Sequence, residues 1–198
     1  MMSAIQQVTA LVSVNSFLAG PLSFLIAFCG GLVGISLVVP AGAILTALGV
    51  LTGAGVVSWT FVLWAICGAS LGMSVSYSLG LLFGSRLQRI PLLQSSPELS
   101  KRARSLFERY GYAAILIGYY AGPLRSIVAS VAAILEMPRG KFEAANAISA
   151  VLWVAGAVSI GAIPGTLFEP GSAWLLGGVI VVPLVTIALT LLLLRAAS

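Results

Sequence analysis

Arg125 is the residue of this sequence whose chemistry most needs an explanation. It stands two positions after the pair Gly122-Pro123, in an apolar run from Tyr112 to Leu135 where it is the only charge. A guanidinium at the centre of a bilayer costs about 2.5–3.5 kcal/mol on insertion scales. The Gly-Pro pair interrupts any helix that would run through it. Pro123 is well placed to open a new helix, because its missing N–H would be unpaired there anyway. The N–H groups after it carry the positive end of the helix dipole. Arg125 adds a planar fork of donors that matches the oxygens of a phosphate. No acid lies in the same apolar core; Glu136 and Glu143 fall nearer its margin. The group reads as a positive site without an anion of its own, with Ser126 and Tyr119 or Tyr120 as hydroxyl donors. The structural alternative is that Arg125 reaches the interface or binds backbone carbonyls.

Little else in the chain can do chemistry. There is no histidine and no aspartate, and the acids are five glutamates. A Ser-His-Asp triad and any histidine metal site are therefore excluded. No catalytic residue, metal site or cofactor is expected, and the protein is not read as an enzyme. Cys29 and Cys67 both fall in apolar stretches and read as small buried hydrophobes rather than a disulfide or metal pair.

The elements that hold Arg125 must be membrane helices. Of the 198 residues, 60% are hydrophobic and 8% charged, with mean hydropathy +1.12; a soluble domain carries about 25% charged residues. The first apolar stretch, Phe17 to Val39, follows no basic region, so it is expected to remain as an anchor rather than be cleaved. The stretch from Trp59 to Phe83 is long enough to span a hydrocarbon core of about 30 Å. Two further spans fall near 142–164 and 172–194. The net charge of +5 comes mainly from Arg86, Arg89, Lys101, Arg102, Arg104 and Arg109. These read as a positive-inside loop, 85–109, with a polar helix near 97–109 and a possible contact with anionic lipid headgroups. Nucleic-acid binding is a poor reading, since no soluble domain accompanies the cluster.

Charge placement assigns the path of 110–137. If that segment crossed the membrane, the basic loop and the Arg139/Lys141 pair would lie on opposite sides. If it enters and returns, every basic residue outside the apolar segments, Arg195 included, is cytoplasmic. A re-entrant hairpin over 110–137, bent at Gly122-Pro123, is therefore expected, packed inside protein. The N-terminal half has the same plan. Pro40 and Pro123 stand 83 residues apart, as do Trp59 and Phe142. Such spacing points to an inverted repeat whose broken segments meet at a midplane site. Residues 1–84 then form the first repeat, with its hairpin near 31–57, and 110–165 the second. Gly68, Gly72, Ser76, Gly80 and Gly84 recur every fourth residue and form a smooth packing face, most simply for a hairpin. Such faces could also pair two protomers as a homodimer. Tyr77 and Asn146, polar within spans, are expected to face inward.

Several motifs then resemble one family. Pro40-Ala41-Gly42, Gly68-Ala69-Ser70-Leu71-Gly72, Ser76-Tyr77, Gly80 and Gly84 follow the first half of the DedA family of SNARE-associated or VTT-domain proteins. Glu108-Arg109-Tyr110-Gly111, Gly122-Pro123-Leu124-Arg125, Met137-Pro138, Phe142, Asn146 and Leu152-Trp153 follow the second half. The resemblance covers roughly residues 20–165. It implies two facing re-entrant hairpins and, for bacterial members, movement of lipid carriers such as undecaprenyl phosphate across the cytoplasmic membrane. Some members are driven by the proton gradient, and eukaryotic relatives scramble phospholipids. Arg125 falls on one of the functional hairpin arginines. Other polar positions of the family are neutral here: Pro40-Ala41-Gly42 lacks its acid, a second embedded acid falls near Gly30, an arginine is Tyr119 and a further acid is Met73.

The resulting expectation is an all-α polytopic protein of a bacterial inner membrane, with two re-entrant hairpins and about four transmembrane helices. Its basic loop and C-terminus face the cytoplasm. The expected activity is translocation of a membrane phospholipid or polyprenyl phosphate. The substrate-binding set is Arg125, Ser126, Tyr119, Tyr120, Gly122, Pro123, Pro40, Gly42, Tyr77 and Asn146. The alternative is a non-transporting scaffold or envelope-homeostasis protein with the same fold. A small-ion channel is weakened by the lack of a ring of embedded charges.

Overall fold

The computed structural model describes residues 16–83, 97–120 and 124–167, with residues 174, 177–182, 184 and 185 of the last segment. Among the described residues there are helices and no strands. Glycine and proline divide the first apolar stretch into α1 (Ser16–Cys29), a short 3-10 turn (Ile35–Leu37) and α2 (Ala41–Gly53). Gly34, at φ 89°, takes a backbone conformation that other residues rarely adopt. A single anchor over Phe17 to Val39 is thus cut short at Cys29, and α2 begins only beyond it. The 13 residues of α2 give it about 20 Å, short of a bilayer core.

Uninterrupted apolar sequence forms α3 (Phe61–Phe83), and α7 (Arg139–Gly165) follows Pro138. Among the described residues these two helices are long and apolar enough to cross a membrane. Between them lie the amphipathic α4 (Pro97–Tyr110) and two short helices, α5 (Ala113–Tyr120) and α6 (Leu124–Ile134). The expected bend at Gly122-Pro123, the last span at 172–194 as a whole and Gly84 lie outside the described residues. Helix α4 sets Ala103 against the core, with Leu106 and Phe107 partly covered, while Arg102, Arg104 and Arg109 face outward.

Close backbone contacts define the packing. Side chains at Gly68 and Gly72 would strike the carbonyls of Phe24 and Phe28, so α1 runs parallel to α3. Gly49 and Gly53 lie against Val158 and Ala162, while Gly161 and Gly165 lie against Thr46 and Val50. Helix α2 therefore runs parallel to α7, each giving glycines to the other. Tyr77 stacks on Phe142 at 4.3 Å and Asn146 bonds Ser70, so α3 and α7 are antiparallel. Gly80 receives Ser130 and Ala133 of α6. The small-residue face of α3 thus accepts one limb from each helix pair. Helix α5 runs parallel to α7, with Lys141 Nζ 3.3 Å from the Tyr112 hydroxyl at one end and Tyr119 against Asn146 and Trp153 further along.

Helix α6 ends in a Schellman motif, with Met137 N–H bonded to the Ala132 carbonyl and Glu136 N–H to that of Ala133. Glu136 occupies its left-handed position at φ 56°. Tyr77 donates its hydroxyl to the Met137 carbonyl, fixing the entry to α7. Cys67, expected to be buried, is exposed on the outer face of α3, and Cys29 is half-buried; both are free thiols. The reason is helical phase: Cys67 points away from the face that Gly68 and Gly72 present to α1.

Three substitutions test this structure by thermal unfolding in detergent. Gly161→Leu, which drives a side chain into the Thr46 carbonyl, is expected to cost about 1–3 kcal/mol. Gly140→Ala, which meets open space, should leave stability unchanged or slightly raised. Glu136→Gly relieves the left-handed strain and is expected to add about 1 kcal/mol.

Candidate functional site

A helix end in an apolar interior must find donors for its last carbonyls within the protein, because no water is at hand. Helix α1 ends this way, and side chains from two other helices serve it. Ser76 of α3 donates to the Gly31 carbonyl at 2.7 Å and accepts from the Val33 N–H at 2.8 Å. Arg125, on the first turn of α6, donates from Nε to the Gly30 carbonyl and from Nη2 to the Ala27 carbonyl, each at 3.1 Å. The guanidinium lies over the Trp153 ring at 4.2 Å and the Tyr119 ring at 5.3 Å. It is 2% exposed, so it does not reach the interface.

The charge is therefore compensated, but by neutral groups: the negative end of α1's dipole, two carbonyls and two aromatic faces. Charge-assisted bonds contribute about 1.5–3 kcal/mol each. Two of them match the insertion cost of an arginine without a resident anion. The Nη1 edge makes no hydrogen bond among the described residues. Gly30, the position near which the DedA pattern has an acid, turns its backbone carbonyl to Arg125. A Cβ there would stand 3.0 Å from Nη2 and collide with Ala41.

The neighbouring residue ties the two bends together. Ser126 Oγ lies 2.6 Å from Ser36 Oγ in the 3-10 turn, and both are buried. Helix α2 starts at the same place. Pro40 is its N-cap, with no side-chain hydrogen bond to cap it, and Gly42 faces Trp153 at 3.6 Å. Two helix N-termini, those of α2 and α6, thus open beside the guanidinium.

A second polar group leads from Tyr119 to the surface. Tyr119 donates its hydroxyl to Asn146 Oδ1 at 2.6 Å. Asn146 Nδ2 faces the Ser70 carbonyl at 3.0 Å and Ser74 Oγ at 3.2 Å. Ser74 donates to Glu143 Oε2 at 2.6 Å, and Arg139 stands 3.8 Å from the other carboxylate oxygen.

Of the expected binding set, Arg125, Ser126, Tyr119, Pro40 and Gly42 come together, and Asn146 adjoins them through Tyr119. Tyr77 is buried elsewhere, against Phe142 and Met137. Tyr120 is half-exposed on the outer side, near Gly156. Gly122 and Pro123 lie outside the described residues.

The model of the VTT domain matches residues 39–163. That span includes α2, α3, Arg125 and nearly all of α7. The chain belongs to the VTT-domain (DedA) family. It is 32% identical over 130 residues to the inner membrane protein YabI of Escherichia coli K12, covering 65% of this chain and 51% of that protein. It is 29% identical over 124 residues to the inner membrane protein YghB of the same strain, covering 62% and 57%. The chain thus spans about half the length of the relatives it matches. No solved structure matches it. Like its relatives it is a membrane protein.

Within this family member, Trp153, Ser36, and the Ala27 and Gly30 carbonyls complete the site beyond the expected set. Trp153 carried a signal as part of Leu152-Trp153, a family motif. Ser36 was a lone hydroxyl in an apolar run, and the carbonyls left no mark in the sequence.

The contact between bends can be checked by cross-linking. In a Cys29→Ala, Cys67→Ala background, the pair Ser36→Cys and Ser126→Cys should form an intramolecular disulfide on mild oxidation. Altered mobility on a non-reducing gel reads this out, and either single cysteine should show none.

Proposed function

We propose that this protein moves a phosphate-bearing lipid, a phospholipid or a polyprenyl phosphate such as undecaprenyl phosphate, across a bacterial cytoplasmic membrane. The carrying observation is Arg125: buried and, among the described residues, paired with no carboxylate and with no hydrogen bond at its Nη1 edge. A phosphate oxygen is the acceptor that this edge fits. The N-termini of α2 and α6 add partial positive charge at the same point. Ser126 and Ser36 add hydroxyls. No covalent step is involved; the headgroup binds and is released.

The packing supports the transport reading. Both pairs, α1–α2 and α5–α6, double back within the molecule, as re-entrant hairpins do. Lys141 meeting Tyr112 favours an entry and exit of 110–137 on one side. In each half the first limb runs parallel to that half's spanning helix. The second limb runs parallel to the spanning helix of the other half. Because α3 and α7 are antiparallel, this exchange fits an inverted repeat, the framework for opening one site to either face. The basic α4 and the C-terminus then lie in the cytoplasm, where anionic headgroups meet the outward arginines.

The second reading, a membrane scaffold that keeps the fold without transport, draws on the same arginine. Its two carbonyl bonds give Arg125 a structural task even without a ligand.

Both are separated by flipping of a labelled phosphate-bearing lipid in proteoliposomes, with and without a proton gradient. The wild type should transport under at least one condition. Arg125→Lys keeps the charge and can reach one carbonyl but loses the fork, so its rate should fall about 10–100-fold with thermal unfolding little changed. Normal transport by Arg125→Ala would end the phosphate reading. An inactive, folded wild type would favour the scaffold.

A further inference from the structure

The polar group between α3 and α7 is oversupplied with oxygen. Asn146 Nδ2 has two hydrogens, yet four oxygens converge on it. These are the Ser70 carbonyl at 3.0 Å, Ser74 Oγ at 3.2 Å, Ser70 Oγ at 3.4 Å and Glu143 Oε2 at 3.4 Å. The Ser74 hydroxyl has one proton for two acceptors, Glu143 Oε2 at 2.6 Å and its own helix's Ser70 carbonyl at 3.0 Å. Asn146 itself is fully buried, whereas the Glu143 side chain is 35% exposed. The group therefore holds one carboxylate and several neutral oxygens around a single point, with an opening at Glu143.

We propose that Ser70, Ser74, Glu143 and Asn146 form a sodium-ion site. The ligands are the Ser70 carbonyl and hydroxyl, the Ser74 hydroxyl, a Glu143 carboxylate oxygen and, after the amide turns over, Asn146 Oδ1. Turning the amide exchanges donor and acceptor ends without changing its shape. Tyr119 tolerates the exchange. Its hydroxyl, now bonded to Asn146 Oδ1, has a second acceptor in the Ala69 carbonyl at 3.5 Å and can accept from the turned Nδ2. The turned Oδ1 would then stand 3.0–3.4 Å from the other four oxygens, about the spacing of neighbouring ligands around one ion held at the roughly 2.3–2.6 Å typical of calcium, an ion of nearly sodium's radius. One carboxylate among neutral oxygens suits a single positive charge, since tight calcium sites use more carboxylates. The site is separate from the Arg125 edge but joined to it by Tyr119, whose ring covers the guanidinium.

The proposal is independent of lipid transport and is tested without it. Purified protein in detergent is melted in sodium chloride and in choline chloride at equal ionic strength. Sodium binding to the folded state should raise the melting temperature by roughly 3–6 °C when sodium is ten-fold above its Kd. Glu143→Gln and Ser74→Ala should each weaken the sodium dependence at least ten-fold; their melting in choline shows that they fold. If Glu143→Gln does not fold, Ser74→Ala and radioactive sodium binding to the wild type decide. Equal wild-type melting in both salts, or a sodium shift that survives in both variants, overturns the site.

Discussion

Everything in this molecule is arranged around bends that lie in its interior. A helix that stops short of the membrane surface leaves carbonyls without partners, each costing several kcal/mol in hydrocarbon. At the end of α1 those carbonyls are met by Ser76 from α3 and Arg125 from α6. The arginine and the broken helix therefore solve each other's difficulty. The helix end supplies the negative potential that makes a buried guanidinium tolerable, and the guanidinium supplies the donors that make a buried helix end tolerable.

That exchange also explains why glycine lines the packing surfaces. Arg125 reaches Ala27 and Gly30 only if the two bends approach closely. Such approach requires α1 to lie on α3 and α2 on α7 with backbones in contact. Gly68, Gly72, Gly49, Gly53, Gly161 and Gly165 provide the room. In lipid, close packing and hydrogen bonds, rather than hydrophobic burial, hold helices together. The glycine faces and the polar bends are two halves of one design. Tyr119 and Trp153 lie over the faces of the guanidinium, and Tyr119 extends the polar path to Asn146, Ser74 and Glu143.

Much of this could be read along the chain. Hydropathy delimited α3 and α7 to within a few residues, because a spanning helix is a long local signal. Gly68, Gly72 and Gly80 announced a close contact through their spacing. Arg125 was conspicuous because charge is rare in apolar sequence. Other features were invisible. The anchor expected from Phe17 to Val39 stops as a helix at Cys29 and turns, because hydropathy does not register a bend whose residues are as apolar as its limbs. Tyr77 looked as suitable as Tyr119 for the site. Which tyrosine meets Arg125 depends on helix phase and on which helices touch.

By itself the sequence determined the solvent this protein lives in, its two long apolar helices and the residue that carries its buried charge. Those are properties of composition and local order: transfer energies, missing N–H groups and the rarity of ions in apolar runs. Only the tertiary structure decided what that charge faces. Ala27 and Gly30 answer Arg125 with backbone carbonyls, which every residue possesses and no sequence distinguishes. They become ligands only when two bends nearly a hundred residues apart are folded against each other.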